Sequence, residues 1–388
     1  MKIILFGAGE IGRAIAQYFL YQDNLTQLVL IDIDKNQLIT CIDKLSKHVN
    51  VNKVVLNNYQ DIEKFVYSSD LIFAAVPWSA HSAIIELVIK YNKPMISVTR
   101  PAYNDINFLK KRLKKINSPV IIGCGLEPGL TEIMALYCAS MYDRLDELHI
   151  KCGGITNNPP NNVLQYKALF GTKYLPIAMR YAYTVVDSKL IQLPRFSGVE
   201  PFDIPNIGQL EAWHDGMVPW LYQYSKISSA HTISQKTLRW PGFSQAVKTL
   251  NHLGLLSEKE IKINGCSISP KTFIEHLYND ETKLADEKNI SILHISGKGL
   301  INQRKKNIEL KLMAYNQINT GLNSMALITG FTASIIGSFV LNGKIKYTGL
   351  LNPELEIHGS LFDQLIYSLK HHLIYLDIKQ NLDTQLYG

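Results

Sequence analysis

The sequence predicts an α/β protein in which a doubly wound parallel sheet is followed by a second α+β domain. Three observations indicate this architecture. Short apolar runs alternate with amphipathic segments through residues 1–125, a glycine-rich stretch follows the first run, and a mixed pattern of strands and helices begins near residue 126. Apolar strands joined by helices are typical of a parallel sheet that helices cover on both faces, with right-handed crossovers.

Six apolar runs in the first region are predicted to be the strands of this sheet. They are KIILF (2–6), LVLIDI (28–33), VNKVVL (51–56), DLIFAAV (70–76), PMISVT (94–99) and PVIIGC (119–124). Segments with apolar residues at three- and four-residue spacing lie between them, and residues 11–20 and 80–91 are clear examples. That spacing places the apolar side chains on one face of a helix, so each segment is predicted to pack on the sheet.

The first strand runs into GAGEIG at residues 7–12, a GxGxxG pattern. The pattern indicates dinucleotide binding because it follows a strand, opens a helix and has an acidic residue at the expected distance. Its three glycines permit a tight turn, let the backbone approach a pyrophosphate, and let the helix pack closely on the sheet. We therefore predict a Rossmann-type NAD-binding domain over residues 1–125. The predicted cofactor-binding residues are Gly7, Ala8, Gly9, Glu10, Ile11, Gly12, Asp32, Val76 and Pro77.

Asp32 indicates which dinucleotide is bound. It ends the second predicted strand, where a carboxylate accepts hydrogen bonds from the adenosine ribose hydroxyls and repels a 2′-phosphate. We therefore predict NAD in preference to NADP. The alternative role for Asp32 is to cap the next helix, but Asp34, which directly precedes KNQLITCI, suits that role better.

Ligands of such sheets bind outside the carboxyl ends of the strands. Those ends carry Val76-Pro77-Trp78, Thr99-Arg100-Pro101 and the stretch 123–129, which contains the single acid Glu127. Glu127 is therefore predicted to lie near the nicotinamide, where burial would raise its pKa. The alternative is that it only caps the helix that follows.

The second domain is predicted over residues 126–345. Its strand-like stretches include ELHIKCGG, IKING, ISILHISGKG and NIELKLMAY, of which the last two are predicted to form a hairpin. Its helical stretches include TEIMALYCASMY, SQAVKTLNHLGLL and PKTFIEHLYN. Residues 346–388 are predicted to form a helical C-terminal segment that packs back on the nucleotide-binding domain.

Composition excludes several other classes. The net charge of +7 is small for 388 residues, and the basic run at 110–115 lacks a nucleic-acid-binding motif, so no nucleic-acid partner is expected. Five scattered cysteines without a CxxC pair argue against a disulfide framework or a metal site and favour the cytoplasm. The apolar stretch 324–341 contains Ser, Thr and Gly and is predicted to be a buried helix, so no membrane association is expected.

At this point the chain resembles the saccharopine dehydrogenase (saccharopine reductase) family, which includes lysine 6-dehydrogenases. The resemblance covers nearly the whole chain, and its motifs occur in the family's order. They are VPWSAH (76–81), GLEPG (125–129) with Glu in place of Asp, CGGI (152–155), LQYK (164–167), TLRWPGF (237–243), and SMA (324–326) with GKI (343–345) and GLLNP (349–353). The segment EAWHDGMVPW (211–220) is more similar to the lysine 6-dehydrogenase version.

The resemblance implies hydride transfer between a nicotinamide and an amine-bearing carbon, with saccharopine or L-lysine as substrate, followed by hydrolysis of the imine. An α-carboxylate requires a guanidinium, for which Arg239 is the candidate, and a substrate ammonium requires a carboxylate, for which Glu127 is the candidate. Lys167 is a second candidate for carboxylate binding or acid–base chemistry, Trp78 for a wall of the pocket, and His81 for a proton carrier.

Each assignment has a structural alternative: a helix cap for Glu127, a structural ion pair for Arg239, a solvated side chain for Lys167 and a structural role for His81. Two other functions also remain open. One is reductive condensation of an amine with an aldehyde, as in carboxynorspermidine dehydrogenases, and the other is non-catalytic nicotinamide binding in a regulator. A homodimer is expected, because two-domain dehydrogenases commonly associate in pairs.

Overall fold

The structure is a computed structural model that describes residues 1–45, 51–55, 59–170, 175–284, 287–372 and 374–382. The chain divides into two compact units. Unit 1 comprises Met1–Met134 and Asn316–Tyr375, and unit 2 comprises Ala135–Tyr315 together with the remaining C-terminal residues. Residues 383–388 of the predicted C-terminal segment lie outside the described residues.

Unit 1 is built on a parallel sheet that contains all six predicted strands. Its first part consists of β1 (Lys2–Phe6), α1 (Glu10–Leu20), β2 (Gln27–Asp32), α2 (Lys35–Asp43), β3 (Val51–Val55), α3 (Tyr59–Ser68), β4 (Leu71–Ala74), α4 (His81–Tyr91), β5 (Met95–Ser97), α5 (Ile106–Arg112) and β6 (Pro119–Ile122). The strand order β3-β2-β1-β4-β5-β6 is that of a doubly wound dinucleotide-binding sheet. The predicted fold class is therefore confirmed.

Unit 2 is built on a mixed, mainly antiparallel sheet. After α6 (Leu130–Ser140), its elements are β7 (Arg144–Thr156), β8 (Tyr181–Val186), β9 (Lys189–Pro194), β10 (Glu200–Ile204), β11 (Gly208–His214), β12 (Thr232–Arg239), α7 (Phe243–His252), β13 (Ile261–Ile263), β14 (Cys266–Ile268), α8 (Pro270–Thr282), β15 (Asn289–Ile301) and β16 (Arg304–Tyr315). The main path of the sheet begins β10-β11-β12-β7-β15-β16. The predicted hairpin of β15 and β16 is confirmed, with Ile301 opposite Arg304 at its turn.

The chain then returns to unit 1. This part contains α9 (Ser324–Leu341), β17 (Gly349–Leu351), α10 (Pro353–Glu356) and α11 (Ser360–His371), and β18 (Ile374–Leu382) follows as the strand next to β16. The parallel strand β17 extends the unit 1 sheet beside β6. The C-terminal segment thus contributes strands as well as the predicted helices.

The structure divides the chain differently from the sequence at residues 316–345, which were predicted to belong to the second domain. These residues, including α9, lie in unit 1. The physical reason is close packing of α9 on α1, where a Cβ at Gly330 would lie 2.6 Å from the Cβ of Ala14. Among the described residues, α9 is the helix long and apolar enough to cross a membrane by composition, and 83% of it is buried inside the protein.

The strands from β8 to β12 were missed at the sequence level. β9 and β10 are half exposed and carry little apolar alternation, since they lie towards the margins of the sheet. β12 is almost fully buried but has the sequence TISQKTLR, because its polar side chains, such as Ser234, Lys236 and Thr237, make hydrogen bonds within unit 2. Periodicity of apolar residues does not detect a strand of this kind.

Candidate functional site

The glycine-rich loop of unit 1 has the local geometry that its sequence predicts. Gly7 has φ +99°, and a Cβ there would lie 2.4 Å from the carbonyl oxygen of Ala75. A Cβ at Gly12 would lie 1.9 Å from the carbonyl oxygen of Gly7, whereas a Cβ at Gly9 would meet nothing within 4 Å. Packing inside the protein therefore explains the first and third glycines. The second faces open space, as a position reserved for ligand requires.

The N-terminus of α1 is suited to bind an anion. The first hydrogen bond within the helix runs from Arg13 N to Gly9 O, and no side chain of the described residues caps the N–H groups of Glu10, Ile11 and Gly12. These groups and the helix dipole favour a phosphate. The carboxylate of Glu10 forms an ion pair with the buried guanidinium of Arg13, at a distance of 2.6 Å. This positive charge offsets the negative charge of Glu10 at the N-terminus of the helix.

Asp32 lies at the carboxyl end of β2, beside the glycine-rich loop. Its Oδ2 accepts a hydrogen bond from Ala8 N at 2.7 Å, and its Oδ1 accepts one from Asp34 N at 2.9 Å. The Asp34 carboxylate accepts from the backbone N–H groups of Asn36 and Gln37, so the prediction that Asp34 caps α2 is confirmed. The carboxylate oxygens of Asp32 are thus hydrogen-bond acceptors at the edge of the sheet where dinucleotides bind.

Val76 and Pro77 form the turn after β4, next to the glycine-rich loop. A Cβ at Gly7 would lie 3.0 Å from Cγ1 of Val76. The carbonyl of Val76 accepts from the hydroxyl of Thr99 at 3.2 Å, which ties the ends of β4 and β5 together. Trp78 starts a short 3₁₀ turn, where it is half-buried and its ring stacks on that of His81 with centroids 4.3 Å apart.

His81 was predicted as a candidate proton carrier, but the structure gives it a structural position. Its side chain is fully buried. Nε2 lies 2.7 Å from the hydroxyl of Ser97, and Nδ1 lies 3.2 Å from the carbonyl oxygen of Pro77. Burial lowers the pKa of this imidazole. With both ring nitrogens engaged inside the unit, His81 fixes the turn after β4 and supports Trp78.

Glu127 lies in the turn between β6 and α6, at the predicted end of the sheet. Its side chain is exposed, so the burial that would have raised its pKa is not observed. The turn itself is rigid: Gly125 N donates to Pro128 O at 2.7 Å, and Leu130 N donates to Gly125 O at 2.9 Å. The Glu127 carboxylate is therefore carried on a fixed turn and is open to solvent.

The buried acid of this turn is Glu132, which the sequence analysis did not single out. Its Oε2 accepts from Gly129 N at 2.7 Å and from the hydroxyl of Thr131 at 2.6 Å. Its Oε1 lies 3.6 Å from a guanidinium nitrogen of Arg100, at the carboxyl end of β5. Glu132, rather than Glu127, thus accepts the backbone N–H at the start of α6.

Arg239 is the main candidate for anion binding in unit 2. Its side chain is only 5% exposed, and one of its nitrogens donates to the carbonyl oxygen of Leu238 at 2.7 Å. Within the described part of the chain, no carboxylate lies within 4.0 Å of its guanidinium, and its buried Nε has no hydrogen-bond partner. A buried guanidinium without a counter-charge is costly unless a ligand supplies one.

The acid opposite Arg239 is committed elsewhere. Glu211 on β11 is in register with Arg239 on β12. Its carboxylate accepts from Gly242 N at 3.1 Å and from Ser244 N at 2.7 Å, so it binds the N-terminus of α7. The predicted alternative for Arg239, a structural ion pair, is therefore not observed among the described residues.

Aromatic side chains and a glycine shape the surroundings of Arg239. Its guanidinium carbon lies 5.3 Å from the ring centroid of Tyr166 and 6.0 Å from that of Phe243. A Cβ at Gly153 would lie 3.0 Å from an Arg239 terminal nitrogen, so glycine leaves room for the guanidinium. The hydroxyl of Tyr166 is buried without a partner among the described residues, and burial raises its pKa. Tyr166 is a donor that the sequence analysis quoted in LQYK but did not select.

Lys167 lies on the same segment but points to different partners. Its ammonium group donates to the carbonyl oxygen of Lys283 at 3.2 Å and lies 3.5 Å from a carboxylate oxygen of Glu287. Its side chain is about four-fifths buried, so it is not the solvated lysine of the alternative interpretation. An ammonium already paired in this way is a weaker candidate for substrate binding than Arg239.

No group of three or more His, Cys, Asp or Glu side chains that could hold a metal ion occurs in the described ranges. The functional groups therefore form two sets. Unit 1 carries the glycine-rich loop, Asp32, Trp78, Arg100 and Glu127, and unit 2 carries Arg239, Tyr166 and Lys167. The first set suits a dinucleotide and an amine, and the second suits a carboxylate.

Comparison with known protein families gives two matches that together cover most of the chain. The family model described as Saccharopine dehydrogenase NADP binding domain matches residues 3–117. The model described as Saccharopine dehydrogenase C-terminal domain matches residues 125–374. The second match alone covers more than half of the chain. The match to the NADP binding domain supports a nicotinamide cofactor.

Curated relatives are distant in sequence. Alpha-aminoadipic semialdehyde synthase of Bos taurus is 23% identical over 440 residues, which cover 94% of this chain and 46% of that protein. The chain thus spans about half the length of this relative. The saccharopine dehydrogenase [NADP(+), L-glutamate-forming] of Saccharomyces cerevisiae is 21% identical, with 94% of this chain and 96% of that protein covered.

A solved structure shows the same fold. The apo saccharopine dehydrogenase (L-Glu forming) of Saccharomyces cerevisiae superposes with a TM-score of 0.79, covering 98% of this chain and 99% of its own. The two sequences are 17% identical, so this likeness concerns the fold alone.

Proposed function

The chain belongs to the saccharopine dehydrogenase family, and from that premise we propose that it is a nicotinamide-dependent oxidoreductase that acts on the CH–NH bond of an amino-acid amine. The proposed substrate is saccharopine or L-lysine. The observation that carries the proposal is Arg239, a buried guanidinium without a carboxylate partner among the described residues, beside the unpaired hydroxyl of Tyr166. Such a site is suited to the carboxylate of an amino acid.

The cofactor would be held by the residues of unit 1. Glu10, Ile11 and Gly12 offer backbone N–H groups to the pyrophosphate, Gly9 leaves space for it, and Asp32 accepts hydrogen bonds from ribose hydroxyls. When bound, the nicotinamide supplies a hydride acceptor. Ala8, Val76 and Pro77 would form the backbone surface beside the dinucleotide.

We propose NAD as the preferred dinucleotide. The support is the carboxylate of Asp32 at the end of β2, whose negative charge disfavours a 2′-phosphate. The matched family model is described as NADP binding, and the yeast relative is named for NADP(+). NAD preference would therefore be a difference between this chain and those relatives.

The chain's own residues would bind the amine and move its protons. Arg239 and Tyr166 donate hydrogen bonds to the substrate carboxylate, and Glu127 attracts the ammonium group and accepts its proton, since hydride leaves readily only from a neutral amine. Loss of a hydride from carbon and a proton from nitrogen gives an imine. Addition of water to that imine then gives an aldehyde and releases the amine.

Trp78 is proposed to provide a flat apolar wall, since its ring is held by stacking on His81. Lys167 remains a candidate for a second substrate carboxylate, on the condition that it leaves Glu287. His81 is proposed to act as a positioning residue for the turn after β4, and no proton transfer is assigned to it. The cytoplasmic location and the homodimer remain predictions. Light scattering of the purified protein tests the homodimer.

A substrate panel tests the proposed function. Purified protein is incubated with L-lysine or saccharopine and NAD or NADP, and with aldehyde–amine pairs and NADH or NADPH, while absorbance at the nicotinamide band is followed. We expect oxidation of one of the two amines with NAD. Binding of NAD without turnover of any substrate would contradict the proposal and favour a regulator, and activity confined to condensation would favour the carboxynorspermidine dehydrogenase type.

A further inference from the structure

Asn162 holds the main chain of Tyr166, whose ring centroid lies 5.3 Å from the guanidinium carbon of Arg239. The amide oxygen of Asn162 accepts a hydrogen bond from Tyr166 N at 3.2 Å, and its amide nitrogen donates one to Tyr166 O at 2.9 Å. Tyr166 is only 3% exposed, so both of these main-chain groups need partners inside the protein. A single side chain supplies both partners.

The turn that leads into Tyr166 is closed by the main chain. Gln165 N donates to Asn162 O at 3.0 Å, and Gln165 has φ +48°, in the left-handed region. This change of direction lets Leu164 and Tyr166 both pack in the apolar cluster that contains Phe243. The Asn162 side chain is therefore not required to close the turn, and its hydrogen bonds act on the residue that follows it.

The Tyr166 ring is held by packing, whereas its hydroxyl is available for a ligand. The rings of Tyr166 and Phe243 meet edge to face with centroids 5.4 Å apart. The hydroxyl is buried and has no hydrogen-bond partner among the described residues. A buried donor without a partner is costly unless a ligand completes the bond. Because the ring is stiff, a shift of the Tyr166 main chain displaces this hydroxyl.

A purely structural role for Asn162 is the competing explanation, because its amide nitrogen also donates to Glu281 O at the end of α8. That contact is the longer of the two, at 3.3 Å. The segment is attached to the end of α8 independently, since Ala168 N donates to Thr282 O at 2.7 Å. The Asn162 side chain thus adds little to that attachment, and its shorter hydrogen bond is made to Tyr166.

We propose that Asn162 is a positioning residue that acts on substrate binding through Tyr166. It fixes the main chain so that the Tyr166 hydroxyl donates to the substrate carboxylate that Arg239 also binds. This role rests on the proposed function of amine oxidation. Because Asn162 is assigned no contact with the substrate, its loss should affect KM more than kcat, and only while the Tyr166 hydroxyl is present.

A double-substitution cycle tests this role with saccharopine and L-lysine as substrates. Asn162→Ala is made in wild type and in Tyr166→Phe, which keeps the ring and removes the hydroxyl. In wild type we expect KM to rise roughly 10-fold, with a smaller change in kcat, because the hydrogen bond of the hydroxyl is misaligned. In Tyr166→Phe the same substitution should change KM less than about 2-fold, because that bond is already absent. Asn161→Ala, at the exposed neighbouring asparagine, is the matched control.

Thermal unfolding measures the effect on the fold separately, because loss of the amide leaves two buried main-chain groups unpaired. If Asn162→Ala does not fold, the cycle uses Asn162→Asp. This substitution keeps the size of the side chain and the acceptor for Tyr166 N, and it removes the donor to Tyr166 O. We expect a rise in KM that again disappears in Tyr166→Phe.

The outcomes separate this role from the proposed function. Equal rises of KM in the two backgrounds, or an unchanged KM in wild type, would overturn the role of Asn162 and leave amine oxidation intact. If wild type oxidises neither amine, the proposed function fails, and nicotinamide fluorescence then measures binding of each amine to the enzyme–NADH complex. A loss of affinity confined to proteins that retain Tyr166 supports the role of Asn162, and an equal loss, no loss or no binding overturns it.

Discussion

Arg239 illustrates how a single buried residue can indicate a ligand. Its guanidinium is surrounded by Tyr166, Phe243 and the backbone at Gly153, and the acid in register with it is bound to another helix. Burial of an uncompensated charge reduces stability, so a protein that retains it gains something else. We propose that binding of an anionic substrate group provides that gain.

Replacement of Arg239 tests its role directly. We expect Arg239→Met to raise KM for the amino-acid substrate by roughly 100-fold, in line with loss of a charge-assisted hydrogen bond of about 3 kcal/mol. Cofactor affinity stays unchanged because the cofactor groups lie in unit 1. Steady-state kinetics and NADH fluorescence measure the two effects. Arg304→Met, at an exposed arginine of β16, is the control, and equal kinetics of the two variants would remove Arg239 from the site.

Asp32 and Asp34 offer a matched pair for the cofactor. Both are acids at the end of β2, but only Asp32 borders the glycine-rich loop, while Asp34 caps α2. We expect Asp32→Ala to weaken NAD binding roughly 10-fold or more and to leave or improve NADP binding. Asp34→Ala lowers stability by about 1 kcal/mol without changing the NAD/NADP ratio. Equal loss of both dinucleotides in Asp32→Ala would contradict the assignment to NAD.

At the scale of elements, α9 supports the cofactor helix. Its glycines allow close approach: a Cβ at Gly330 would lie 2.6 Å from Cβ of Ala14 and 3.1 Å from the carbonyl oxygen of Ile11, and one at Gly337 would lie 2.5 Å from the ring of Phe73. The helix therefore contacts both α1 and β4 at nearly backbone distance. This explains why a segment far along the chain belongs to unit 1.

The packing of α9 on α1 gives a stability prediction. Gly330→Ala improves helix propensity by about 1 kcal/mol, but its new methyl group must displace Ala14 or the backbone at Ile11, which costs about 1–3 kcal/mol. We expect a net loss of thermal stability and weaker NADH binding, since α1 begins at the pyrophosphate position. Thermal unfolding and fluorescence titration measure both. Val340→Ala, near the half-exposed end of α9, is the control and should change thermal stability and NADH affinity much less. A Gly330→Ala variant with increased thermal stability would show that α1 and α9 are less closely packed.

At the scale of the whole molecule, several buried or half-buried histidines link stability to pH. Burial lowers the pKa of His81, His149, His294 and His372, and burial together with the charge of Lys236 lowers that of His214 to about 4. The unfolded chain binds protons to these groups near pH 6.5, while the folded chain does not. The contribution of these histidines to the free energy of unfolding is therefore completely present above pH 6.5 and is lost as the pH drops.

The predicted pH profile follows from the lowered pKa values of these histidines. The midpoint of thermal unfolding should be nearly constant from pH 8 to 7 and should decrease between pH 6.5 and about 4, where His214 in the folded state finally binds a proton. His214→Gln removes part of this decrease, and substitution of the exposed His231 does not. Fluorimetry across the pH range measures it. A midpoint that rises on acidification would show that these imidazoles gain partners on protonation.

The sequence predicts much of the nucleotide-binding part because its signals are local. Gly7 and Gly12 reflect contacts with residues near in sequence or on the next strand, and Asp34 caps the helix it precedes. The sequence does not indicate which of Glu127 and Glu132 is buried, because their burial depends on how the turn 123–129 closes. The position of His81 likewise depends on Ser97, which approaches it through the pairing of β4 and β5.

The sequence by itself thus determined the doubly wound sheet, the dinucleotide loop, the family and the candidate residues Asp32 and Arg239, because periodicity and short motifs record local geometry. Tertiary structure decided which acid is buried, which guanidinium lacks a partner, and that α9 belongs to unit 1. These properties arise from contacts between residues far apart in the chain, such as Gly330 with Ala14 and Arg100 with Glu132. Burial and charge pairing become defined only when those distant segments are packed together.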